Sequence, residues 1–328
     1  MEPKTLKQAI EYFANPKNCH KYLVESRWPD GAECPRCGSK NVKFSEKYNR
    51  WQCGSHHERR QFTLKTGTIF EDSALGLDKW LAAMWLLVNS KNGVSSWEVH
   101  RAIGVTQKSA WFMMHRLREV LEPQHAVKMG GPDSGPCEVD EAYVGGRIKN
   151  MHRSKVREKY KGKPVSGGAA KAIVMGIRDR ETRQVRAKVI PNVKRETLQN
   201  EILANIEKKS TVYTDQYLGY YDLARKDFVH DVVNHVQEYV RGEVHTNGIE
   251  NFWSLLKRGL KGTYVAVEPF HLDRYVVEQC FRFNNRATKD NPLTDGDRFA
   301  LAASQILGKR LTFAELTGKV GGVEAQPF

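Results

Sequence analysis

The 328-residue sequence predicts an α/β fold, a mixed sheet flanked by helices, preceded by a small cysteine-bearing module and a pair of helices. Three observations predict it. Beyond residue 136 the apolar pattern runs three strands, helix, strand, helix, strand, helix, the order of a layered α/β core. Before residue 60, CPRC and CGSHH stand in a Gly/Pro-rich stretch of short alternating runs. Between the two lie apolar residues at helical spacing and no strand pattern.

The elements follow in order. Leu6, Ile10 and Phe13 share one face of a helix within residues 1–18. NVKF, RWQC and RQFTL read as short strands. Asp72 or Ser73 caps a helix carrying Leu75, Leu77, Trp80, Leu81, Met84, Trp85 and Val88, which stops at Lys91-Asn92-Gly93. Ser95 or Ser96 caps a short helix to about Ala102, Gly104 makes a turn, and Thr106 caps a second helix to about Leu121. Pro123, Gly130, Gly131, Pro132 and Gly135 mark a linker. Strands are expected over 137–144, 172–179 and 184–189, a helix over 196–208, and a strand from Thr211 ending at Asp215. A helical element over 217–225, a strand over 228–233, helices over 249–259 and 272–284, and a short helix over 297–308 complete the chain. The expected segments are 1–72 (N-terminal helix and cysteine module), 73–122 (helical region), 130–290 (α/β core with a basic loop at 146–171) and 291–328 (C-terminal helix and tail).

Lys and Arg outnumber Asp and Glu 52 to 38, a net charge of +14, which favours a polyanionic partner, most simply nucleic acid. The longest apolar run, Leu81 to Val88, is far short of the ~20 residues that span a bilayer, so no membrane is expected. The N-terminus lacks the apolar centre of a signal peptide, and a cytoplasmic protein is expected. In a reducing compartment the cysteine cluster reads as a metal site rather than as disulfides. Cys34, Cys37, Cys53 and His56 have the two-knuckle spacing of one structural Zn²⁺, with His57 the second candidate for the fourth position.

The chemistry is expected at three acids: Asp140 in EVDEAYVGG, Asp215 in YTDQYLGY and Glu250 in HTNGIENFWSLLKRG. Two follow strand-like residues and one opens a helix, so the three can converge. Converging carboxylates repel unless a hard cation, Mg²⁺ or Mn²⁺, lies between them. Two such ions can activate a water or sugar hydroxyl and steady the leaving oxygen of a phosphodiester. Glu138 and Glu141 rival Asp140, and Glu243 and Asn247 rival Glu250; in a strand, Glu138 shares Asp140's face and Glu141 points away. Lys257, two helical turns after Glu250, and Arg258 are placed to hold a phosphate. Residues 95–121 read as a helix-turn-helix with Thr106, Gln107 and Lys108 facing DNA, or as an ordinary helical hairpin. From Arg147 to Lys171 nine Lys/Arg face one acid, and Lys155, Arg157, Lys159 and Lys161 either grip phosphates or form a solvated face.

Taken together, CPRCGS, RQFTLKTGTIFEDS, WLLVNSKNGVSSWEVHRAIGVTQKSAWFMMHRLR, EVDEAYVGG, YTDQYLGY, HTNGIENFWSLLKRGLKGTY and HLDRYVVEQCFRFNNR resemble a bacterial insertion-sequence DDE transposase of the ISXO-like group. The resemblance covers nearly the whole chain and implies a zinc ribbon ahead of a ribonuclease H-like core. It implies Asp140, Asp215 and Glu250 as the metal-binding triad, followed by Lys257. It also implies cleavage at transposon ends and strand transfer into target DNA, with two Mg²⁺ (or Mn²⁺) per site. Double-stranded DNA would be the partner, in a homo-oligomer on DNA, since joining two ends takes two active sites. The setting would be the bacterial cytoplasm, at the nucleoid. The chain departs from the family at CGSHH, where relatives usually carry CxxC, and at VAVEPFHL after Tyr264, where relatives often place a His directly after the Tyr. The rival classes are a transposase-derived DNA-binding regulator without catalysis, and a structure-specific nuclease that cuts without joining.

Overall fold

A computed structural model of the chain describes residues 3–122, 127–145, 154, 157, 171–233, 244–289 and 291–319. The chain packs as two units, one from residues 1–124 and 285–324, the other from residues 125–284.

The first unit opens with two helices where one was expected, α1 (Leu6–Phe13) and α2 (Pro16–Arg27). Asn15 breaks the run because a residue before proline is excluded from helical backbone, and its side chain then caps the new helix through Lys17 N–H at 2.9 Å. Pro16 sits at the first helical position, where its missing N–H costs nothing. Strands β1 (Val42–Ser45), β2 (Arg50–Cys53) and β3 (Gln61–Phe62) form an antiparallel sheet in that order. Trp51 holds it to α2, stacked on His20 at 5.4 Å and on Phe62 at 5.8 Å.

Helix α3 (Leu77–Asn89) begins at Gly76 without a side-chain cap, not at Asp72 or Ser73. Asp72 is in the left-handed region, and the Ser73 hydroxyl is used by Leu75 N–H and by the Trp80 indole N–H. Helix α4 (Ser96–Ile103) carries the reciprocal Ser95–Glu98 capping box. It ends at Gly104, whose φ of +64° suits a residue without Cβ. Thr106 then caps α5 (Gln107–Val120).

The second unit is a five-stranded mixed sheet. Strands β4 (Cys137–Val144), β5 (Ala172–Asp179) and β6 (Val185–Ile190) pair antiparallel. Helix α6 (Arg195–Asn205) leads to β7 (Thr211–Asp215), parallel to β4, and β8 (Val229–Val233) is parallel to β7. The sheet order is β6-β5-β4-β7-β8. Helices α7 (Asn247–Gly259) and α8 (Leu272–Asn284) follow. The two-residue period sorts β4 cleanly. Cys137 and Val139 enter the core with Leu198 and Ile202 of α6, while Ala142 and Val144 pack with Ile249, Phe252 and Trp253 of α7. The expected helical element after Asp215 is instead two short 3₁₀ turns, Leu218–Tyr220 and Leu223–Lys226. Asp222 between them is left-handed at φ +71°, which no continuous helix tolerates.

The C-terminal helix, expected in a segment of its own, belongs to the first unit. Helix α9 (Asp295–Ser304) places Phe299 against Phe13 of α1 at 5.4 Å and Trp85 of α3 at 5.1 Å. A last turn, α10 (Phe313–Leu316), follows.

Candidate active site and metal centre

The ribbon cluster is built by two turns that flank β1 and β2. Cys34, Cys37, Cys53 and His57 bring one ligand atom each to within 4.8 Å of one another. The fourth member is His57, and His56 is not part of the cluster. His57 Nδ1 lies 2.6 Å from the Glu58 carbonyl, which fixes the tautomer and turns Nε2 toward Cys34 Sγ at 3.5 Å. Cys37 and Cys53 sulfurs are 3.7 Å apart. Two thiolates on a tetrahedral ion at ~2.3 Å stand roughly 3.8 Å from each other. Three thiolates and an imidazole at this spacing fit a closed, structural Zn²⁺.

In the core, Asp140 lies on β4, Asp215 ends the parallel neighbour β7, and Glu250 is in the first turn of α7. Burial pushes the Asp140 carboxyl up to about 6, against hydrogen bonds from the Glu141 N–H and the Trp253 indole; the charges of Asp215 and Glu250 add to the rise. The three acids are thus electrostatic neighbours. They are looser than the ribbon cluster, which alone among the described residues gathers such ligand atoms within 4.8 Å.

Each acid is held. Trp253 Nε1 donates to Asp140 Oδ2 at 2.9 Å. Tyr217 N–H donates to Asp215 Oδ1 at 3.0 Å, and the Thr246 hydroxyl to Glu250 Oε1 at 3.1 Å. Trp253 reaches Asp140 because Gly176, paired with Asp140 across the strands, leaves room; a Cβ there would lie 2.6 Å from Trp253 Cη2 and 2.9 Å from Ile249 Cδ1. Gly176→Ala should therefore overpack this face and destabilise the core by about 1–3 kcal/mol. A denaturant midpoint equal to wild type would mean that α7 gives way freely.

Glu138 and Glu141 take different places. Glu138 is fully buried on Asp140's face and bound to Arg178 and Arg180. Glu141, on the opposite face, accepts from the Tyr220 hydroxyl. Burial, with the charges of Asp140 and Asp215, pushes the Glu141 carboxyl up to about 7. The Tyr220 bond ties the turn after Asp215 to the strand of Asp140. Neither periodicity nor spacing carries a signal for the bond from Trp253 to Asp140. Asn247 opens α7. Glu243 lies outside the described residues, as do Lys155, Lys159 and Lys161, and Arg157 is exposed. Lys257 and Arg258 are exposed on the last turn of α7.

The residues expected to face DNA on α5 have partners within the first unit. Thr106 caps the helix through Ser109 N–H at 3.1 Å, and Gln107 Nε2 donates to Ser96 Oγ at 2.9 Å. Lys108 Nζ stands 4.9 Å from the centre of the Phe313 ring. Trp97 of α4 is 57% exposed. No described helix is long and apolar enough to cross a membrane.

A zinc-ribbon module joined to a mixed α/β core of ribonuclease H-like order, with acids on β4, β7 and α7, is the architecture of a transposase. Comparison with known families agrees. Residues 133–284 match an ISXO2-like transposase domain, and residues 15–57 match a transposase zinc-ribbon domain. The chain belongs to the ISXO2-like transposase family. Similar proteins include an "uncharacterized protein in transposable element ISH50" of Halobacterium salinarum, 30% identical over 263 residues, covering 76% of this chain and 85% of that protein. An "uncharacterized transposase-like protein" of Haemophilus influenzae is 35% identical over 101 residues, covering 31% of this chain and 81% of that protein.

Proposed function

We propose that this chain is a metal-dependent DDE transposase that binds the terminal inverted repeats of an insertion sequence and joins them to target DNA. The observation that supports the reading is that Asp140 and Asp215 lie on neighbouring parallel strands with Glu250 in the first turn of α7, and that the charges of Asp215 and Glu250 act on the Asp140 carboxyl. A partly buried carboxylate beside two others is a site that a divalent cation relieves. The donors are hard oxygens, which suit Mg²⁺ or Mn²⁺, and all three acids would hold them. Such ions, two per site, supply charge neutralisation and an activated oxygen nucleophile.

The chain's own residues set the geometry. Trp253 and Tyr217 fix the rotamers of Asp140 and Asp215 by N–H donation, so the carboxylates need little reorganisation. Lys257 and Arg258, on the helix of Glu250, are placed to receive a backbone phosphate. In the first step water attacks the phosphorus at the transposon end, the P–O3′ bond breaks, and a free 3′-hydroxyl and a 5′-phosphate result. In the second, that 3′-hydroxyl attacks a target phosphodiester, loses its proton, and displaces the target's own 3′-oxygen. One phosphodiester is broken and one formed, so no energy source is needed. The ribbon and the α4–α5 pair are assigned to end recognition, and the pairing of two ends calls for more than one copy of the chain.

The test is incubation with the DNA flanking the gene, with and without Mg²⁺, and mapping of the ends. Nicking at the terminal repeats followed by joining is expected only with the ion. Binding without nicking would favour a DNA-binding regulator, and nicking without joining a nuclease.

The basic run from Arg147 to Lys171 is proposed to hold phosphates near Asp140. Neutralising Lys155, Arg157, Lys159 and Lys161 together should flatten the slope of log K against log salt by roughly 0.9 for each phosphate the chain ceases to neutralise. A slope equal to wild type would leave the run as a solvated face.

A further inference from the structure

Glu138 stands two residues before Asp140, on the same face of β4, and is fully buried. Its Oε1 accepts from Arg178 Nη1 at 3.0 Å and from Arg180 Nε at 2.7 Å. Its Oε2 accepts from the backbone N–H of Ile249 at 2.8 Å. Ile249 is in the first turn of α7, directly before Glu250. This helix has no side-chain cap from its own N-cap residue, Thr246. A carboxylate satisfies an orphan N–H there and complements the helix dipole. In α7 the carboxylate comes from a strand 111 residues earlier. Arg180 Nη2 also donates to the His245 carbonyl at 2.8 Å, tying the approach to the helix. Gly248 closes the fit: a Cβ on it would collide with the Arg178 guanidinium and stand 2.7 Å from Glu138 Oε2.

We infer that Glu138 is a positioning residue that keys the start of α7 to β4 and so aims Glu250 at Asp140 and Asp215. The inference rests on the triad reading above. Both Glu138 oxygens are engaged by donors, so it holds the helix rather than an ion. The pleat of β4 puts Asp140 and this anchor roughly 7 Å apart along the strand on one face. One strand therefore carries the first acid and sets the place of the third. With an amide at 138, two partly buried guanidiniums lose their anion, and a single oxygen is left to serve both the guanidiniums and the Ile249 N–H, so one side of the anchor loses its acceptor. The first turn of α7 then loosens, and Glu250 moves with it.

The test uses the full chain as wild type, Glu138→Gln and Gly248→Ala, with Asp215→Asn as the site control. Mn²⁺ affinity is read by electron paramagnetic resonance, and amide hydrogen exchange over residues 244–256 is read without metal. Both test variants should exchange faster at the start of α7 while the sheet stays protected. Both should bind Mn²⁺ about 10- to 100-fold more weakly. Gly248→Ala keeps the Glu138 charge and perturbs only the fit, so it decides the matter if Glu138→Gln does not fold. Wild-type exchange at Ile249 and Glu250, or wild-type Mn²⁺ affinity, in a folded variant overturns the inference. A wild-type chain that binds no Mn²⁺ sinks the metal reading of the triad instead, and the exchange at Ile249 and Glu250 still decides the anchor.

Discussion

Asp215→Asn should abolish cleavage and joining together while leaving binding to transposon ends intact. The substitution keeps the size of the side chain and removes the charge, and one metal site serves both steps. Tyr217 N–H can still donate to the amide oxygen, so the local turn should survive. Asp140→Asn and Glu250→Gln should behave alike. Lys257→Ala should differ: the carboxylates remain and one grip on a phosphate goes, so activity should fall without vanishing. Cleavage assays on end-labelled repeats, with gel-shift binding alongside, separate these outcomes. Full activity of Asp215→Asn would sink the mechanism, and full activity of Glu250→Gln would pass the third-ligand role to Glu243 or Asn247.

Stripping the ribbon of its ion should unfold the N-terminal sheet and leave the core standing. Structural zinc binding contributes on the order of 10–16 kcal/mol in zinc-finger peptides, and β1 to β3 bury little beyond the Trp51 cluster. Purified protein should carry about one zinc per chain. Cys37→Ser or strong chelation should shift Trp fluorescence toward that of exposed indole and weaken end binding. His57→Ala should do the same and His56→Ala should not, because only His57 meets the three sulfurs. Zinc-free protein with unchanged Trp51 fluorescence would rule out a structural ion.

Much of this is legible in the sequence because the signals are local. Alternation in CEVDEAYV places Asp140 and Glu138 on one face of a strand, and the structure keeps that pattern. The strand end at Asp215 and the helix start before Glu250 follow from apolar periodicity. What is not legible depends on atoms brought together from afar. CGSHH offers two adjacent histidines, and only the folded turn, which sets His57 among the three sulfurs, decides between them. Glu138 reads as a rival for Asp140's role, but it pairs with arginines of β5 and the loop after it and with a helix more than a hundred residues on. The break at Asn15-Pro16 has a local signal that apolar periodicity alone overlooks: a proline one residue after a good cap restarts a helix. Polar residues at the start of α5 match a DNA-reading pattern, while in the fold Thr106 caps the helix, Gln107 bonds to Ser96, and Lys108 lies over Phe313.

Helix α9 has a consequence for how the chain comes off the ribosome. Phe13, Trp85 and Phe299 belong to one apolar core, yet the whole mixed sheet is encoded between Trp85 and Phe299. The helical unit therefore waits for its last member until the sheet has been synthesised, a delay on the order of ten seconds or more at about 5–20 residues per second. Nascent chains that stop short of Phe299 hold every strand of the sheet but an unfinished helical unit, so premature termination would yield fragments whose exposed aromatic surface marks them for aggregation or proteolysis.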